Sequence, residues 1–120
     1  MVESIGENVE EVKEGEIVVP VFLANCEECL DCKSKKSNIC TKFPFSVIPG
    51  MPRDGTSRFM DSKGEVLHNF FGVSSFAEYT VVDITHLIKI THDIPVDKAC
   101  LLSCGVSTGT YFTLFNVESP

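Results

Sequence analysis

The sequence predicts a mainly β chain with short helices, and three observations carry that expectation. Short β-branched runs are bounded by turn residues. Long polar loops, one of them rich in cysteine, separate those runs. From Pro95 onward the pattern turns helical. At 120 residues the chain is long enough for one domain with a core of its own. A hydrophobic content of 43% against 22% charged residues argues against disorder.

The elements follow in order. "MVESIGENVEEVKEG" is acidic, and Glu7 to Glu16 read as a solvated face. "EGE" supplies a turn before "VVPVFL", Val18 to Leu23, which reads as a buried strand. Pro49–Gly50 and Asp54–Gly55 mark turns. "FAEYTVVD", Phe76 to Asp83, begins with alternation and reads as β, and Leu87 to Ile90 form the core of another short strand. Pro95 and Asp97 suit the first turn of a helix. Ala99 to Cys104 extend it by one or two turns, the two glycines of "CGVSTG" break it, and "TYFTLFNV" forms a second helix or is left loose. Both ends read as cut: the chain opens on a strand-like "MVESIG" and stops just after the last potential helix.

Charge and hydropathy exclude several roles. A net charge of −7 argues against nucleic-acid binding, which needs Lys and Arg against phosphates. The basic run Lys33 to Lys36 reads as a solvated loop face. An apolar run of about 20 residues, the length of a membrane span, is not found. The acidic opening does not resemble a secretory signal, so the expected location is cytoplasmic.

Six cysteines without a secretory signal favour metal or reactive thiols over disulfides. Four fall in "NCEECLDCKSKKSNIC": Cys26, Cys29, Cys32 and Cys40, spaced x2, x2 and x7. The short gaps let neighbouring thiolates converge on one ion, and the longer gap lets the loop return and close the shell. Four thiolates suit tetrahedral zinc and leave no position for water or substrate, so the expected site is structural. Lys33, Lys35 and Lys36 offset its negative charge. An iron–sulfur cluster is the competing metal reading, but the spacing matches neither common ferredoxin pattern. Taken by position alone, Cys100 and Cys104 read as core cysteines. His68, next to Phe70 and Phe71, and His86 and His92, in loops or at strand edges, do not read as ligands, and Phe70, Phe71 and Phe76 read as core.

Beyond spacing, "VESIGENVEEVKEGEIVVPVF", "CEECLDCKSKKSNIC", "DGTSRF", "FGVSSFAEYTVVD" and "LLSCGVSTG" occur in an order that resembles the zinc-dependent medium-chain alcohol dehydrogenases, nearest to the plant alcohol dehydrogenase-like branch. The resemblance covers nearly the whole chain. It implies a partial GroES-like β-barrel domain over residues 1–120, with a structural-zinc loop at 26–40. Residues 95–120 would then be a helical lead-in to an NAD-binding Rossmann domain that is not in this sequence. It further implies that Cys104 matches one ligand of a catalytic zinc, Thr108 a threonine near the nicotinamide ring, and Phe70 and Phe71 two positions lining the substrate pocket. In that family, zinc acts as a Lewis acid on an alcohol, hydride passes to NAD, and an aldehyde or ketone leaves.

Several expected parts are not in the sequence. The family's other catalytic-zinc cysteine and histidine belong to a segment that would precede Met1. No GxGxxG motif occurs. Tyr111 stands where the family has a small glycine. The expectation is therefore a fragment of an NAD-linked alcohol dehydrogenase that keeps its structural zinc, acts on no alcohol or aldehyde by itself, and resembles a truncated or isolated piece. The alternative is a non-enzymatic zinc-stabilised module associating with a homologous dehydrogenase subunit. A cysteine-rich nucleic-acid module is disfavoured by the acidic charge.

Overall fold

The computed structural model describes residues 1–47 and 49–116, and the chain divides into two compact units. One comprises Met1–Val19 and Ile88–Pro120, the other Pro20–Leu87. The last four residues of the expected 95–120 segment lie outside the described residues.

In the first unit, strand β1 (Val18–Pro20) is the hydrogen-bonded neighbour of β4 (Leu87–Lys89). The Ile90 N–H donates to the Ile17 carbonyl at 3.1 Å. Val12, Val19 and Ala99 are its buried apolar side chains. Of the acidic run, Glu7, Glu10, Glu11 and Glu14 are exposed as expected. Glu16 instead pairs with Lys89 at 2.9 Å, and hydrogen bonds from the Lys89 ammonium and the Lys13 N–H lower its carboxyl pKa.

Helix α2 (Val96–Ala99) starts as the sequence predicts, with Pro95 at its N-cap and Asp97 in its first turn. A 3₁₀ turn at Cys100–Leu102 continues it. The expected break falls at Ser103–Cys104, just before Gly105, and the second helix, α3, runs from Gly105 through Gly109 to Asn116. A glycine inside a helix costs about 1 kcal/mol relative to alanine, which weakens a helix without ending it. A Cβ on Gly109 would meet nothing within 4 Å. Gly109→Ala is therefore expected to stabilise α3 by about 0.5–1 kcal/mol, read as a rise in helical circular dichroism.

In the second unit, α1 (Leu30–Lys33) lies in the cysteine loop, and β2 (Phe59–Met60) pairs antiparallel with β3 (Val66–Leu67). The register sets Phe59 opposite Leu67 and Met60 opposite Val66. Gly64 (φ +82°) makes the connecting turn, where Asp61 Oδ1 accepts from the N–H groups of Lys63 and Glu65, each at 2.8 Å.

The expected β content is only partly met, because each strand is two or three residues long. The run Val18–Leu23 stops as a strand at Pro20, although the Val21 N–H still donates to the His86 carbonyl at 2.8 Å. Proline has no N–H to give a ladder, so it sits at strand ends. Phe76 to Asp83 form no strand. Phe76 is 95% and Phe70 57% exposed, against the expectation of core residues, and Tyr79 and Val81 are exposed too. β-branched and aromatic composition reflects fit to a pleated, half-buried surface, and without a partner strand that preference has nothing to act on. No helix among the described residues is long and apolar enough to cross a membrane.

Asp83 anchors the end of this unit. It caps the 3₁₀ turn Ile84–His86: its Oδ1 accepts from the Thr85 N–H at 3.0 Å and from the Thr85 hydroxyl at 2.7 Å. Its Oδ2 accepts from Arg53 Nε at 2.6 Å, and the Arg53 guanidinium lies 5.0 Å from the centre of the Phe43 ring. Burial by itself pushes the Asp83 carboxyl up, but the Thr85 and Arg53 bonds outweigh it and hold it below the ordinary carboxylate range. With the native pKa depressed, this stabilisation is fully present above an ordinary carboxyl pKa of about 4 and is lost as pH falls through the native value. Asp83→Ala is expected to cost about 2 kcal/mol in urea denaturation at neutral pH. Asp83→Asn should flatten the acid side of the stability profile.

Candidate metal centre and aromatic cavity

The four cysteines of the 26–40 loop converge: their Sγ atoms all lie within 4.8 Å of one another. Cys26 Sγ and Cys32 Sγ stand 3.9 Å apart. A tetrahedral zinc with Zn–S bonds of about 2.3 Å needs sulfurs about 3.8 Å apart, so the donor set fits that ion. Among the described residues this is the one group of three or more metal-ligating side chains.

Local backbone geometry explains the convergence. Asn25 Oδ1 accepts from the Glu27 N–H at 3.0 Å, and Glu27 takes a left-handed conformation (φ +58°), which turns the chain sharply between the first two cysteines. Cys26 Sγ accepts from the Cys29 N–H at 3.4 Å. Cys29 is the N-cap of α1, and its Sγ accepts from the Cys32 N–H at 3.4 Å. Cys40 Sγ accepts from the Phe43 N–H at 3.3 Å. Each of these donors points at sulfur and stabilises a thiolate there. Cys40 is the most buried side chain, 2% exposed, while the other three cysteines are half-buried.

The thiols differ in their readiness to ionise. A side-chain hydrogen bond from Thr41, followed by the Cys32 N–H, brings Cys29 down to about 5. The N–H groups of Cys29 and Glu28 lower Cys26. Loss of hydration pushes Cys32 up to about 12. So close a set of sulfurs does not carry four negative charges unaided, and a divalent cation at their centre removes that conflict. Outside the cluster, Lys42 pairs with Glu28 at 2.6 Å, which raises the lysine and lowers the carboxyl.

Cys104 lies elsewhere. It is exposed in the turn before α3, and its carbonyl accepts from the Thr108 N–H at 3.0 Å. It belongs to no group of three metal-ligating side chains among the described residues. Cys100, expected in the core, is exposed, and Cys104, which reads as core by position alone but as a free thiol in this chain, is exposed as well. Thr108 is exposed on α3. His68 and His92 are exposed, whereas His86, expected at a loop or strand edge, is buried at the end of its 3₁₀ turn.

Phe70 and Phe71 pack edge to face, with ring centres 4.4 Å apart. Phe71 also stacks on Phe45 at 5.6 Å, and Phe45 meets Phe22 edge-on at 5.9 Å. Phe71 holds φ +51°, a conformation that costs a bulky residue about 1–2 kcal/mol and that its ring contacts maintain. Phe22, Phe45 and Phe71, but not Phe70, line a cavity of about 120 Å³ together with Phe43, Lys42 and His86. Phe22 and Phe45 carry no mark in the sequence, and His86 reads there only as a loop or strand-edge residue, because the three are far apart in the chain and each looks ordinary by itself.

The fold and the cysteine loop define the class. The chain matches the alcohol dehydrogenase GroES-like domain over residues 1–92, and it belongs to that family. Plant proteins are among its relatives. "Alcohol dehydrogenase-like 7" of Arabidopsis thaliana is 60% identical over 91% of this chain and 28% of that protein. "Alcohol dehydrogenase" of Malus domestica is 48% identical across the whole chain, which spans 31% of that protein. Among solved structures, an alcohol dehydrogenase zinc-binding domain protein from Burkholderia ambifaria superposes with a TM-score of 0.72 at 30% identity. That match covers 95% of this chain and 31% of the other. The chain thus spans under a third of the length of these relatives.

Proposed function

We propose that this chain is the zinc-stabilised portion of an NAD-linked, zinc-dependent alcohol dehydrogenase, and that it does not oxidise alcohols unaided. The observation that carries the reading is the convergence of the Cys26, Cys29, Cys32 and Cys40 sulfurs within 4.8 Å. A zinc ion there supplies a cross-link and no reactive position, since four thiolates complete its shell. Family membership supports Cys104 as one ligand of a catalytic zinc, Thr108 as a neighbour of the nicotinamide, and Phe70 and Phe71 as walls of the alcohol pocket. The described residues do not fit a catalytic zinc, because no second or third donor accompanies Cys104. No step of alcohol oxidation is therefore assigned to this chain.

Elemental analysis of the purified chain tests the first part: one zinc per chain is expected, lost in Cys40→Ser and retained in Cys104→Ala. A metal-free chain with native structure overturns it. Alcohol, NAD and zinc added to the chain should give no NADH absorbance above a Cys104→Ala control, and turnover above that control refutes the second part.

A second reading, association with a homologous dehydrogenase subunit, is favoured by the exposure of Phe76, Tyr79 and Val81. Exposed apolar side chains favour interaction when a partner covers them. Co-purification with a full-length relative supports it, and elution as an unchanged monomer in the mixture refutes it.

A further inference from the structure

The segment "DGTSRF" has no part in the metal site or the aromatic cavity, yet it carries chemistry of its own. It holds the one Asp–Gly step of the chain, Asp54–Gly55, and the sequence contains no Asn–Gly step. At such a step the aspartate carboxyl carbon is close in sequence to the next backbone nitrogen, and glycine has no side chain to hinder attack. The surroundings are open as well. A Cβ on Gly55 would meet nothing within 4 Å, and Asp54, Gly55 and Thr56 are exposed to water.

The reaction needs no co-reactant but water. The Gly55 nitrogen bonds to Cγ of the protonated Asp54 carboxyl. The carboxyl hydroxyl leaves as water with the amide hydrogen, and a succinimide ring closes. Water then adds to one ring carbonyl and breaks its bond to nitrogen. Opening at Cγ restores aspartate. Opening at the Asp54 main-chain carbonyl leaves the backbone running through Cγ, as isoaspartate. Mass and oxidation state are unchanged over the two steps.

The folded loop opposes each requirement. The Gly55 N–H is committed to the Met51 carbonyl at 2.9 Å. Asp54 Oδ1 accepts from the Thr56 N–H at 2.9 Å and its hydroxyl at 2.8 Å, and Oδ2 accepts from Arg58 Nη2 at 2.5 Å. These three bonds fix the carboxylate in place, and Arg58 Nη1 also donates to the Thr56 hydroxyl, which ties the donors to each other. They hold the carboxyl down to about 2, so the protonated form that reacts is scarcer at neutral pH by roughly tenfold or more than in an ordinary aspartate. Isomerisation moves a methylene from the side chain into the main chain. The loop has no slack for it, since a Cβ on Gly50 would already fall 1.9 Å from the Gly55 carbonyl oxygen.

We propose that Asp54 is a site of isoaspartate formation that the loop from Gly50 to Arg58 keeps closed, and that opening the loop commits it to a one-way change, because an isomerised loop does not close again.

The test ages the full chain at neutral pH, folded in buffer and unfolded in urea, and then digests it with trypsin. Cleavage after Arg53 and Arg58 releases residues 54–58, and isoaspartate shows as a second peak of the same mass and different retention. The peak should grow about tenfold faster, or more, in urea than in the folded chain. Thr56→Val and Arg58→Gln, each verified as folded by its amide NMR dispersion, should raise the rate in buffer severalfold and leave the rate in urea unchanged. Chain isomerised in urea and returned to buffer should show a lower urea midpoint than chain unfolded only briefly. Where a variant does not fold, the folded and unfolded rates of the unaltered chain decide. Equal rates in buffer and urea, no second peak in either, folded variants that age like the parent, or an isomerised chain of undiminished stability overturns the proposal.

Discussion

Removing zinc from the Cys26–Cys40 loop is expected to abolish the cooperative unfolding transition of the Pro20–Leu87 unit. The described residues of the whole chain bury few apolar side chains: Val12, Val19, Ala24, Cys40, Met51 and Ala99. Of these, only Ala24, Cys40 and Met51 lie in the unit that carries the cysteine loop. A core that thin supplies little of the free energy a domain needs, and small units of this kind rely on metals or other staples. Zinc bound by four thiolates contributes on the order of 10 kcal/mol of binding free energy, much of which appears as folding free energy. The Thr41 side chain and then the Cys32 N–H draw the Cys29 thiol toward the thiolate, and the N–H groups of Cys29 and Glu28 do so for Cys26, so the loop is prepared for the ion. Cys40→Ser should act like EDTA, because Cys40 is the innermost ligand and a hydroxyl is a poor replacement for a thiolate. Amide NMR dispersion from residues 20–87 is the readout, with the helical signal of α3 as an internal reference. An unchanged spectrum in a chain shown to be free of metal would falsify the prediction.

The second large effect concerns Gly50. A Cβ there would fall 1.9 Å from the Gly55 carbonyl oxygen, 2.2 Å from its carbon and 2.8 Å from the Thr56 nitrogen. These are backbone atoms, and they are fixed by a tight loop. The Met51 N–H donates to the Thr56 carbonyl and the Gly55 N–H to the Met51 carbonyl, both at 2.9 Å. Asp54 Oδ1 accepts from the Thr56 N–H at 2.9 Å and its hydroxyl at 2.8 Å, and Arg58 Nη2 reaches Asp54 Oδ2 at 2.5 Å. Those bonds hold the Asp54 carboxyl down to about 2, with the Thr56 N–H contributing most. Gly50→Ala has to open this loop, at a cost of about 3 kcal/mol or more. Gly64→Ala, at φ +82° with nothing within 4 Å, is the control. It meets only conformational strain of about 1–2 kcal/mol. Urea midpoints compare the two, and a Gly50→Ala chain no less stable than Gly64→Ala contradicts the close approach.

Legibility in the sequence followed the range of the interactions. The cysteine loop was fully legible, since its ligands, its N–H···S bonds and its turn at Glu27 all form within one short segment. The start of α2 was legible for the same reason: Pro95 and Asp97 act on the turn they occupy. "DGTSRF" was legible as a turn, but its need for glycine at position 50 was not, because the clash comes from Gly55 and Thr56 folding back onto it. The strand expected at Phe76 to Asp83 failed on missing partners, and of the two glycines expected to break the helix only Gly105 stands at a break, while Gly109 lies inside α3, because glycine weakens a helix without forbidding it. His86 gave no local signal at all. Its burial depends on the carbonyl of Val21 and the bare backbone of Gly72.

By itself, then, the sequence determined the four-cysteine loop, the family and the acidic surface, because residue identity and short spacing carry those properties directly. Only the tertiary structure decided which β-rich runs became strands, that Gly50 tolerates no side chain, and that four phenylalanines and one oriented imidazole share a cavity. Those outcomes rest on contacts between residues distant in the chain, where partner position rather than residue type sets the energy.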